Sequence, residues 1–70
     1  MPVQRLRLHG LRPEDGDRAT ALLRAIDGVY SAVVDGPGGW ADVDFTDGRV
    51  SLDDMRAALR ELGVEAKPAG

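Results

Sequence analysis

The stretch HGLRPEDGDR, residues 9–18, brings the chain's single histidine close to three of its carboxylates. Side chains of these types can ligate a metal or carry a proton. His9, Glu14, Asp15 and Asp17 are therefore the candidates for a hard-cation site of the Ca²⁺ or Mg²⁺ kind, or for a lone imidazole ligand. Their spacing is not that of a calcium loop, which needs several oxygens converging on one point. With no second His, Cys or Met nearby, His9 reads as a surface residue at a strand end. The carboxylates read as solvated charge at a helix N-terminus, where the helix dipole favours them. Cysteine is absent, which removes disulfide staples, thiolate nucleophiles and every soft Cys-based metal site. Ser31 and Ser51 have no His or Lys arranged as a base, so nucleophilic catalysis has no support. GPGG, residues 36–39, lacks the Lys-Ser/Thr ending of a phosphate loop and precedes a strand, so it reads as a hairpin turn. The expectation is a non-enzyme with no cofactor.

The elements around these residues follow from apolar spacing. VQRLRL, residues 3–8, alternates Leu6 and Leu8 with Arg5 and Arg7, the pattern of a half-buried strand. Ala19, Leu22, Leu23 and Ile26 recur at helical spacing, with Pro13 suited to the first helical turn and Gly28 to the stop. VYSAVV, residues 29–34, is rich in β-branched residues and reads as a second strand. DGPGG is a turn. WADVDF, residues 40–45, alternates again and closes a hairpin. Ser51 with Asp54 three residues later forms a capping-box pattern at the start of a second helix. Leu52, Met55, Leu59 and Leu62 share one face of that helix, and Gly63 ends it. VEA is a short last strand, and residues 67–70 are expected to be a flexible tail.

The chain has 70 residues, 43% of them apolar, and a net charge of −3. That length supports a single domain, with its core over about residues 3–66. The charge balance offers no electrostatic footprint for nucleic acid or anionic lipid. No segment approaches the roughly 18 apolar residues of a membrane span. A cytoplasmic chain is expected, since the lack of disulfides suits a reducing compartment.

The order is β-α-β-β-α-β. Right-handed crossovers place the third strand between the first and second, and the fourth outside the first. The predicted fold is α+β, a ferredoxin-like βαββαβ sandwich with one four-stranded antiparallel sheet and both helices on one face. Leu6, Leu8, Val29, Val34, Val43 and Phe45 should point toward the helices. On the open face, antiparallel pairing is expected to set Arg5 and Arg7 across from Asp44 and Asp42, with Trp40 and Tyr30 beside them. That ladder is either an ordinary solvated face or a docking face anchored on Trp40. RNA-recognition domains share this fold class, but they carry an aromatic-rich central strand in a basic setting. Here the central strand carries two carboxylates.

Three segments, HGL, GVYSAVV and ADVDFTDGRVSLDDMRAALRELGVEA, give the chain a resemblance to heavy-metal-associated domains, the fold of small copper chaperones and of the N-terminal modules of metal-pumping ATPases. The resemblance covers about residues 3–66 and includes Gly63, Val64 and Glu65 after the second helix. It implies a metal loop, Gly-Met-x-Cys-x-x-Cys, at the entrance to the first helix. Here that loop is GLRPEDG. Counted forward from Gly10, the thiol positions fall on Pro13 and Gly16; counted back from Gly28, they fall on Arg12 and Asp15. Neither count finds sulfur, so no thiolate-bound metal is expected, and Leu11 takes the place of the methionine as an apolar plug. What the resemblance then implies is a degenerate metal-binding domain that acts through a protein partner or through self-association. The alternative is metal binding or transport through His9 and the carboxylates of residues 14, 15 and 17.

Overall fold

The computed structural model describes residues 2–69. β1 (Val3–His9) leads through a 3₁₀ turn (Pro13–Asp15) into α1 (Gly16–Arg24), followed by β2 (Val29–Asp35), β3 (Trp40–Phe45), α2 (Leu52–Arg60) and β4 (Glu65–Pro68). The sheet is fully antiparallel in the order β2-β3-β1-β4, as the crossover rule requires. The fold is the ferredoxin-like sandwich.

Alternation builds the sheet. Leu6, Leu8, Ala32, Ala41, Val43 and Ala66 are buried, and Ala19, Leu23, Met55 and Leu59 meet them from the helices. Leu6, Leu23 and Leu59 are wholly shielded from solvent, and each such side chain contributes about 1.5–3 kcal/mol of transfer free energy. Val29, Val34 and Phe45 pack against this cluster while remaining half-buried. Leu11 does the same beneath the loop after β1, the plug position expected of it.

α2 starts as the sequence predicts. The Asp54 N–H donates to Ser51 Oγ at 3.2 Å, and the Ser51 N–H donates to Asp54 Oδ2 at 2.9 Å. α1 starts differently. Pro13 opens the 3₁₀ turn rather than α1 itself, and Asp15 at the N-cap makes no side-chain capping bond.

Two boundaries differ from expectation. α1 ends at Arg24, and Gly28 lies beyond it at the entry to β2 with φ +100°. A Cβ there would stand 2.7 Å from Val50 Cγ2; close packing against the segment before α2 is what excludes a side chain. The last strand continues through Lys67 and Pro68, where a tail was expected, because β4 pairs with β1 and the Ala69 N–H donates to Arg5 O at 2.8 Å. Gly70 of that expected tail lies outside the described residues.

Candidate functional site

The sheet face away from the helices gathers the polar and aromatic residues that alternation turns outward. Its register is two residues from the expected one. Arg5 pairs with Asp42, Arg7 with Trp40, and Val3 with Asp44. A slip of two leaves every side chain on its own face, so the apolar pattern cannot distinguish the two registers. The same register continues past both ends of the paired strands. The Leu8 N–H donates to Gly39 O at 2.8 Å, and the Phe45 N–H donates to Pro2 O at 3.2 Å. Gly39 reaches that position with φ +71°, a conformation that glycine adopts without steric cost.

Arg5 is the hub of the face. Its Nε and Nη2 donate to Asp42 Oδ1 and Oδ2, both at 2.8 Å. Its guanidinium carbon lies 4.7 Å from the centre of the Trp40 ring, within cation–π range. The two hydrogen bonds hold the Asp42 carboxyl below its usual range; burial opposes this and the Arg5 charge reinforces it. Bonding to Asp42 and the nearby carboxylate charge also raise the Arg5 guanidinium above its ordinary value. Asp44 accepts a 2.8 Å hydrogen bond from Ser31. Arg7 lies between Trp40 and Lys67 in the ladder and forms no ion pair among the described residues.

Of the residues expected on this face, Arg5, Arg7, Trp40, Asp42 and Asp44 lie there together. Tyr30 sits at a β-bulge between Val29 and Ser31 and is 59% exposed. Val33 and Val3 are exposed to the same degree, and neither stood out in the sequence. Alternation from Val34 would have placed Val33 outward. Lys67 was missed because it was assigned to a tail.

The second candidate group does not assemble. His9 is exposed at the end of β1 opposite Glu65. Glu14 and Asp15 belong to the 3₁₀ turn, and Asp17 to the first turn of α1. Among the described residues, no group of three or more His, Cys, Asp or Glu is placed to hold a metal ion. No helix there is long and apolar enough to cross a membrane.

A four-stranded 2-3-1-4 sheet backed by two helices, with a loop running into α1 at the end of β1, is the arrangement this chain shares with heavy-metal-associated domains and copper chaperones. The solved structures it resembles bear this out. The copper-binding domain from HMA7, a P-type ATPase, aligns with 100% of this chain and 96% of its own at 24% identity and a TM-score of 0.90. The CopZ metallochaperone aligns with 94% of this chain and 100% of its own at 25% identity and a TM-score of 0.86. Oxidized MerP from Ralstonia metallidurans CH34 covers 99% of this chain and 97% of its own at 17% identity and a TM-score of 0.90. No family profile matches the sequence, and no curated protein matches it either.

The copper binding for which the HMA7 domain is named does not fit this chain's donors at the entrance to α1. Arg12, Pro13, Glu14 and Asp15 occupy the entrance to α1, and the sequence has no cysteine. A soft ion such as Cu(I) selects sulfur ligands. The scaffold is therefore present without the thiolate pair.

Proposed function

We propose that this chain is a non-catalytic protein-interaction module built on a metal-carrier scaffold, and that it docks through its open sheet face. One observation carries the reading. Trp40 is held half-buried under the Arg5 guanidinium, in a face where Val33 and Val3 are each 59% exposed. A pre-ordered aromatic anchor beside an arginine is the composition of an interface hot spot, because little side-chain entropy remains to be lost on docking. The exposed Tyr30 extends the surface toward the β2 edge.

The HMA7 domain is named for copper binding, and this chain offers copper no thiolate; its Met55 thioether is buried in the core. Nucleophilic catalysis of the Ser–His or Ser–Lys kind would need an imidazole or amine beside the hydroxyl, and neither serine has one: Ser31 donates to the Asp44 carboxylate and Ser51 caps α2. A surface role is what the remaining residues support.

Site-specific photo-crosslinking in cells tests it. A crosslinker at position 30 is expected to capture protein, and Trp40→Ala is expected to abolish that capture. A crosslinker at the exposed Ala57 of α2 should capture none. Equal capture from both faces, or capture indifferent to Trp40, would contradict the reading.

A further inference from the structure

The docking face is also asymmetric in charge, and we infer that its partner is a second copy of this chain. This inference rests on the docking reading. β1 and β4 present Arg5, Arg7 and Lys67 outward, whereas β3 and β2 present Asp42, Asp44 and Asp35. One carboxylate, Glu65, stands on the basic half and is held by Lys67 at 3.4 Å.

The register converts this split into self-complementarity. Lys67, Arg7, Trp40 and Asp35 lie in one row across the four strands. A two-fold axis running along the strands between β1 and β3 exchanges β1 with β3 and β4 with β2. It sets Lys67 opposite Asp35 of the second copy, Arg7 opposite Trp40, and Arg5 opposite Asp42. The same rotation repeats every contact, as an isologous dimer requires.

The isolated chain also carries a cost that such a partner relieves. Arg7 and Lys67 are direct cross-strand neighbours, and like charges in that position destabilise a sheet; Glu65 offsets part of this at Lys67, whereas Arg7 has no ion pair among the described residues. The second copy supplies a carboxylate and an aromatic face to that pair.

The face is small. At strand spacings of about 4.8 Å and residue spacings of about 3.3 Å, it offers on the order of 400 Å² per copy. A contact of that size belongs with transient interfaces rather than permanent dimers.

Charge reversal read by sedimentation velocity tests the inference. The wild-type chain should dimerise reversibly as its concentration is raised into the millimolar range, and more weakly as salt shortens the Debye length to about 3 Å near 1 M. Lys67→Glu and Asp35→Lys each place two repulsive contacts in the homodimer, and each should weaken it by roughly tenfold or more. Mixed together, the two variants should associate, because every contact in the heterodimer is then attractive. Lys67 and Asp35 lie on opposite edges of the sheet, so this rescue has no route within one chain.

Asp35 also accepts from the Gly38 N–H at 3.0 Å, and Asp35→Lys breaks that turn bond. Asp35→Asn keeps an acceptor there and decides the matter if the lysine variant fails to fold: it too should weaken the dimer. A wild type that stays monomeric throughout, or a dimer indifferent to these charges, overturns the inference. Cross-links from position 30 that run to a different protein would do the same while leaving the docking reading standing. Absence of any cross-link from the face would remove both.

Discussion

Arg5 grips Asp42 through two parallel 2.8 Å hydrogen bonds while its guanidinium lies 4.7 Å from the centre of the Trp40 ring. One side chain thereby joins β1 to β3 on the solvent side of the sheet and covers the ring of the aromatic residue beside it. Geometry of this kind matters more than the net strength of an exposed ion pair, which solvent screens.

Removing the guanidinium has a readable consequence. In Arg5→Met, Asp42 loses the hydrogen bonds that hold its carboxyl low, so its titration midpoint, followed by carboxyl NMR, should rise. The sign for stability follows. A carboxyl whose folded value lies below its unfolded value stabilises the fold at and above the unfolded value, near 3.8. That contribution fades as pH falls below 3.8 and through the depressed folded value. Arg5→Met should therefore flatten the acid limb of the stability curve. A midpoint for Asp42 unchanged by the substitution would contradict the assignment.

Gly28 and Gly48 separate backbone strain from steric exclusion. Both have positive φ, +100° and +85°, but a Cβ at Gly28 would meet Val50 at 2.7 Å while one at Gly48 meets nothing within 4 Å. Gly48→Ala should cost about 1–2 kcal/mol for the left-handed conformation alone. Gly28→Ala should cost clearly more, because Val50 is buried and has little room to yield. Urea denaturation compares them; equal losses would show that Val50 does not confine this turn.

Ser51→Ala removes the acceptor for the Asp54 N–H and opens the capping box of α2. The expected loss is about 1 kcal/mol, seen as a lower urea midpoint at unchanged slope. Ser51→Asp should recover most of it. No loss in the alanine variant would mean that packing of Met55 and Leu59 alone fixes the start of the helix.

Much of this fold was legible before any coordinates. Leu6 and Leu8 against Arg5 and Arg7, the turn at DGPGG, and Ser51 with Asp54 each state a local preference that the tertiary structure keeps. The register of β1 on β3 was not legible. Moving Arg5 from Asp44 to Asp42 exchanges no inward residue for an outward one, and the bonds from Leu8 to Gly39 and from Phe45 to Pro2 leave no periodic trace. The bulge that carries Tyr30 was equally silent, since residues 29–34 read as one unbroken β-branched run. Lys67 and Pro68 looked like a tail because proline weakens a strand signal. At an edge, however, proline is tolerated when its missing N–H faces away from the ladder. The open sheet face accordingly includes Lys67 and Val33.

The fold of heavy-metal-associated domains persists here without the cysteines of a thiolate metal site. The most direct measurement is an anaerobic titration with Cu(I), repeated with Zn(II), against a coloured competing chelator and followed by amide NMR. The chelator should keep the metal, and the amides of residues 9–17 should not move. One ion per chain drawn from the chelator, with shifts over residues 9–17 that vanish in His9→Ala or Asp15→Ala, would contradict the account.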